Sequence, residues 1–205
     1  MSTWLVWLLS GLGVAAVVAR RRSLSVILVS AQMLAVGAAA AALAPGRSAE
    51  FAVAAGILCA KAVVVAPALV LGVSRTRQLR PVRDQTTPLL RLALTVALVL
   101  VMVGLVPGFG LEAGAADDGA VAMVAIGLAM LVLRRATLFQ LLALLVAENG
   151  VAVAAVSVSG GLPVVIELGV AFDLVMLVLV AAVFHERIFR SFGTTDTAVL
   201  EDLRH

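Results

Sequence analysis

Four ionisable side chains fall inside stretches otherwise built of Ala, Leu, Val and Gly: Lys61, Glu148, Glu167 and Asp173. The densest run is Ala147-Glu148-Asn149-Gly150, then Ser159-Gly160-Gly161-Leu162-Pro163, then 164–173. It reads as two apolar helices joined by a Gly-Gly-Pro turn and carrying three carboxylates. An Asp or Glu at the centre of a bilayer costs roughly 2.5–3.5 kcal/mol on insertion scales, so such groups need a purpose. The chemistry open to them is proton or ion exchange. A low-dielectric interior favours the neutral form of each group, and a neighbour of opposite charge favours the charged form. Groups balanced between the two exchange a proton when a nearby charge changes, which is what a relay requires.

Plainer roles compete for each residue. Lys61 also fits a structural counter-ion to a carboxylate. Glu167 also fits a helix-start carboxylate favoured by the macrodipole. Glu148 and Asp173, if protonated, also fit hydrogen-bonding glue between helices, the role that suits Gln32 and Asn149 best. His185, at the cytoplasmic end of the last span, reads as solvated, with proton entry as the alternative; Asn149 and His185 are therefore accessory candidates. The single cysteine, Cys59, lies in an apolar run and reads as a small buried side chain. There is no Cys cluster for iron–sulfur, no His pair for haem and no Gly-rich phosphate loop. No catalytic residues, metal ligands or cofactor are expected in this chain, and an enzyme acting alone is not expected either.

The elements that position these groups follow from composition. Of 205 residues, 63% are hydrophobic and 13% charged, against roughly 45–50% and 25% in a soluble domain. The expected class is all-α, a polytopic membrane protein. A span needs about 20 apolar residues. Seven stretches qualify: 3–19, 23–44, 51–73, 89–106, 118–133, 137–158 and 163–185. The start of the fifth, near Asp117-Asp118, is the least sharply marked. Arg20-Arg21-Arg22 follow the first apolar run instead of preceding it, which is the wrong polarity for a cleaved signal peptide. Thirteen of the fifteen Lys and Arg lie in 20–22, 75–91, 134–135 and the tail, and the alternate segments hold only Arg47. This predicts the N-terminus outside and the C-terminus in the cytoplasm. The net charge of +3 therefore describes topology, and no nucleic-acid partner is implied. At 1.5 Å per residue, Lys61 and Asp173 lie about 15 Å from the outer surface and Glu148 about 18 Å from the inner one. Glu167 is only about 6 Å below the outer surface.

The chain divides into a first three-helix unit (1–73), a linker of basic loop, fourth helix and outer loop (74–117), a second three-helix unit (118–185) and a cytoplasmic tail (186–205). Arg21-Arg22-Ser23-Leu24 opens the second span and Arg134-Arg135-Ala136-Thr137-Leu138 the sixth. Sliding one unit onto the other at that register brings Lys61 within two residues of Asp173, a weak parallel repeat. Pro67, inside the third span, removes a backbone donor and predicts a kink. The arginines of 74–90 read as a topology signal in contact with anionic headgroups, or as a docking edge for a cytoplasmic partner.

Glu148-Asn149-Gly150, Gly160-Gly161-Leu162-Pro163, Glu167-Leu168-Gly169-Val170 and Phe172-Asp173 resemble the E subunit of hydrogenase-4 and related membrane-bound NiFe hydrogenases of the formate hydrogenlyase type. Lys61 and the tail from Thr195-Asp196-Thr197 to Leu203-Arg204 extend the likeness. The last three spans are also similar to the K subunit of respiratory complex I and the C subunit of multi-subunit Na+/H+ antiporters. In complex I that subunit places one Glu in each of its last two helices. Asp173 lines up with the second. Glu148 falls about three residues after the position of the first, where Leu145 stands, close to one turn and so on nearly the same face. The resemblance implies a membrane subunit without its own redox site, in a bacterial or archaeal cell membrane. It implies a NiFe centre and iron–sulfur clusters in peripheral-arm subunits, with antiporter-like and quinone-binding-type subunits as neighbours. The residues it assigns to a proton or ion path are Glu148, Asp173, Lys61 and Glu167. Two other readings stand beside it: a subunit of a cation/proton antiporter, and a structural scaffold whose buried charges lock helix packing.

Overall fold

The computed structural model describes residues 2–46, 48–75, 86–106, 114–134 and 136–157. These residues form six helices: α1 Thr3–Val18, α2 Arg22–Leu43, α3 Ala49–Arg75, α4 Pro88–Leu105, α5 Gly114–Leu133 and α6 Thr137–Ser157. Five of them, α2 to α6, are long and apolar enough to cross a membrane. At 16 residues α1 is shorter but equally apolar. The seventh predicted span, 163–185, and the tail lie outside the described residues.

The distribution of polarity is that of a multi-pass membrane protein. Gln32, Lys61, Arg91, Thr95, Arg134 and Asn149 are buried, whereas Trp4, Val63, Leu89, Leu100, Leu105 and Val132 are largely exposed. Water-soluble domains bury the second kind and expose the first. Here an apolar solvent fits the outside, and ionisable groups face the bundle interior.

Helix patterning explains the packing. On α1 the buried set is Val6, Leu9, Ser10, Gly13, Ala16 and Val17, a three-four spacing that makes one stripe. On α3 the stripe runs through Phe51, Ala54, Ala55, Lys61, Ala62, Val65 and Leu69, so Lys61 occupies a core-facing position of its helix. Helices α5 and α6 are buried on several faces and form the tightest pair. Helix α2 packs on α1, α3 and α6, and α1 also packs on α5; α4 lies outside, against α5 and α1.

Three features depart from expectation. Helix α5 begins at Gly114, four residues before the predicted start, and takes Asp117 into its first turn, where a carboxylate suits the helix dipole. Helix α3, Ala49–Arg75 with Pro67 inside it, extends two residues beyond the predicted span at each end. Arg91, which its sequence position groups with the basic loop, sits in the first turn of α4 and is buried. That helix starts at Thr87, whose side chain accepts from the Leu90 amide, with Pro88 in the first helical position.

One apolar cluster joins the end of α1 (Ala16, Val17), the start of α2 (Val26, Val29), the later half of α3 (Val65, Leu69), the end of α5 (Met130) and the start of α6 (Leu138, Phe139). Smaller clusters gather the opposite halves, around Leu9, Val36, Met123 and Val153, and around Ala40, Phe51 and Val156. The helices therefore alternate in direction. One end of the bundle collects Arg20, Arg21, Arg91 and Arg134, and the other Glu50, Asp117 and Asp118. Arg91 secures its end directly: its Nη1 donates to Val17 O at 3.4 Å, an otherwise spare carbonyl in the last turn of α1. Ser25 Oγ does the same for Ala16 O at 3.0 Å.

The register that sets Leu24 on Leu138 lays α1 over 117–132 and α2 over 136–157, within a few residues of α5 and α6. Like helices are also neighbours, α1 against α5 and α2 against α6.

Candidate functional site

Midway along the bundle, between the two sets of apolar clusters, lies a layer of polar side chains. Lys61 is in the middle of α3 and Glu148 in the middle of α6. The Lys61 ammonium pairs with Glu148 Oε1. Their side chains are only 3% and 13% exposed, so the pair is withdrawn from the surroundings on nearly all sides. The second carboxylate oxygen, Glu148 Oε2, is buried and has no hydrogen-bond partner among the described residues. A buried acceptor left open in this way is costly, and functional groups are among the common reasons for one.

Beside the pair, Gln32 on α2 is fully buried and ties four helices together. Its Nε2 donates to Leu9 O on α1 at 2.9 Å and lies 3.4 Å from Met123 Sδ on α5. Its Oε1 accepts from Asn149 Nδ2 on α6 at 3.0 Å. The close approach of α6 to α5 depends on glycine. A Cβ at Gly150 would lie 2.8 Å from Ala120 O, and one at Gly127 would lie 2.6 Å from Ala143 O. Such contacts allow helix backbones to meet in a medium that offers no hydrophobic drive between them.

Of the residues predicted for an ion path, the structure brings together Lys61 and Glu148, which are 87 positions apart in the chain. Asn149 lies alongside but bonds to Gln32. Glu167, Asp173 and His185 lie outside the described residues. Cys59 is half-buried and donates to Gly37 O at 3.3 Å, a packing contact between α3 and α2. Among the described residues no group of His, Cys, Asp and Glu side chains could hold a metal ion.

Sequence reasoning did not find Arg91 and Arg134 as buried residues. Arg134 lies with its guanidinium 3.5 Å from the centre of the Phe139 ring, a cation–π arrangement. The available signal was the short distance from each arginine to an apolar run, together with an aromatic five residues after Arg134.

The arrangement is that of a helical, multi-pass membrane protein with a buried ion pair at its middle, half-satisfied among the described residues. No family model matches the chain, and no solved structure matches it. A stretch of 103 residues is 34% identical to a protein of Mycobacterium tuberculosis described as "Uncharacterized protein Rv0085". The match covers 50% of this chain and 46% of that protein, so the chain spans about half the length of this relative. The description assigns the relative no activity.

Proposed function

We propose that the chain is a non-catalytic membrane subunit of a NiFe hydrogenase complex of the formate hydrogenlyase type, and that Lys61 and Glu148 form part of its proton or ion path. The observation that carries the path is the buried Lys61–Glu148 pair, with one carboxylate oxygen open among the described residues. A pair serving packing alone would be expected to satisfy both oxygens, because a half-satisfied buried network is worse than an apolar core. Asp173 and Glu167 belong to the same path by their residue type and the depth assigned to them in the seventh span. The chain has seven spans, with the N-terminus outside and the C-terminus inside, and the gathering of Arg20, Arg21, Arg91 and Arg134 at one end supports that orientation. Its first and last three spans are copies, a reading supported by the matching bounds of the two helical hairpins. The hydrogenase assignment rests on the resemblance in 148–173.

The test has two stages. Mild-detergent purification of the chain with its partners, followed by metal analysis and mass spectrometry, should recover nickel, iron and hydrogenase-like subunits. Antiporter-like subunits without nickel would reassign the chain to a cation/proton antiporter. In the purified complex, Glu148→Gln and Asp173→Asn should then leave assembly intact and abolish H2 turnover or its coupling to ion movement. Failed assembly would favour a scaffold, and an intact, fully active double variant would end the ion-path reading.

A further inference from the structure

Three consecutive residues of α6 meet three different helices. Glu148 meets Lys61 on α3, Asn149 meets Gln32 on α2, and Gly150 meets the backbone of α5 at Ala120. An α-helix turns about 100° per residue, so these contacts lock the rotation of α6 about its axis. A turn by one residue would carry Glu148 to the face where Asn149 now stands and leave Lys61 facing an apolar side chain. The contacts that hold α6 are therefore separable from the pair they aim. Gln32 is the hub, because its single carboxamide bonds to α1 and α6 and touches α5. Met123 joins the two locking contacts, since its sulfur meets Gln32 and its Cβ would meet a side chain at Gly150.

We propose that Gln32 and Asn149 are positioning residues, a clamp across the bundle that sets the rotation of α6 so that Glu148 faces Lys61. The proposal rests on the reading that this pair is the working part of the chain, but not on what moves through it. A clamp of this kind has a consequence that general stabilisation lacks: the pair is coupled only while the clamp is made.

The experiment is a double-variant cycle on thermal unfolding, using the full chain purified with its partners. Lys61→Met, Glu148→Gln and their combination are compared in two backgrounds, the unaltered chain and Gln32→Met, which keeps volume but removes the carboxamide. In the unaltered chain the two changes should be strongly non-additive, with the second restoring melting temperature lost to the first. In the Gln32→Met background they should become additive. Retained non-additivity there, with a uniformly lower melting temperature, would mean that Gln32 only stabilises the bundle and would overturn the proposal. If Gln32→Met yields no folded protein, the exchange Gln32→Asn with Asn149→Gln decides. It keeps both carboxamides and the summed side-chain length, so folding with a coupled pair supports the clamp, and loss of either refutes it. Failure of the ion-path reading appears elsewhere, as undiminished turnover in Glu148→Gln, and leaves this cycle unaffected.

Discussion

The hairpins α1–α2 and α5–α6 have nearly the same lengths and register but are held together differently. In the first, side chains reach across: Ser25 bonds to Ala16 O and Gln32 to Leu9 O. In the second, glycines let the backbones approach, Gly127 at Ala143 and Gly150 at Ala120. The first hairpin supplies polar donors to its own helix backbones. The second presses together through small residues, which leaves the polar side chains of α6 free to address α2 and α3. Glu148, the carboxylate of the ion pair, lies on the hairpin whose own cohesion needs no polar side chain. It can then respond to a partner without unfastening the hairpin.

The largest effect should come from breaking the pair. Lys61→Met leaves Glu148 buried without a cation, and removing one partner of a buried pair costs about 3–5 kcal/mol. We expect about 3 kcal/mol, because an isolated buried carboxylate can take up a proton instead of staying charged. Adding Glu148→Gln should recover most of it. Thermal unfolding of the two variants checks this, and equal melting temperatures for single and double would show that the pair carries no net coupling.

Gly127→Ala and Gly150→Ala come next. Each new Cβ would meet a backbone oxygen inside 3 Å, which cannot move aside as a flexible side chain can. Overpacking of this kind costs about 1–3 kcal/mol. Separation of α6 from α5 should also weaken the contact of Asn149 with Gln32. A tolerated alanine at both sites, read as an unchanged melting temperature, would show that the second hairpin does not depend on close approach.

Much of the fold was legible in the chain because membrane spans carry a strong compositional signal. Five of the six helix starts fell within two residues of their predicted places; only α5 began further off. The residues Gly114 to Asp117 look like loop, yet they are helical, and Ala116 and Asp117 are buried against neighbours that composition does not reveal. Lys61 and Glu148 stood out as charges among apolar residues. That they would meet was not readable, because the contact joins α3 to α6 through a rotation set by Gln32, Asn149 and Gly150. Arg91 was hidden for another reason: a basic residue beside an apolar run usually marks topology, and its bond to Val17 O depends on where the fold places the end of α1.

A smaller effect separates two serines of the first hairpin. Ser25 Oγ serves Ala16 O, a carbonyl at the helix end with no donor further along its own helix. Ser25→Ala should therefore cost about 1 kcal/mol, the usual worth of one such bond. Ser10 Oγ instead bonds to Val6 O in its own helix, a carbonyl that the helix already engages. Ser10→Ala should be nearly neutral. Equal losses in thermal unfolding would mean that the end of α1 is satisfied without Ser25.

The smallest expected effect has the opposite sign. Gly11 and Gly13 are two residues apart on α1, yet only Gly13 faces neighbours, with a Cβ 3.2 Å from Ile126 Cγ2 and 3.3 Å from Gln32 Nε2. At Gly11 a Cβ would meet nothing within 4 Å. Glycine is less favourable than alanine in a helix by about 0.5–1 kcal/mol because it loses more freedom on folding. Gly11→Ala should therefore raise the melting temperature slightly. Gly13→Ala has to displace the Gln32 carboxamide, so its propensity gain is offset by strain in the clamp. A stabilising Gly13→Ala would show that Gln32 can shift without loss, and a destabilising Gly11→Ala would mean that this face of α1 is covered by a partner and not by lipid.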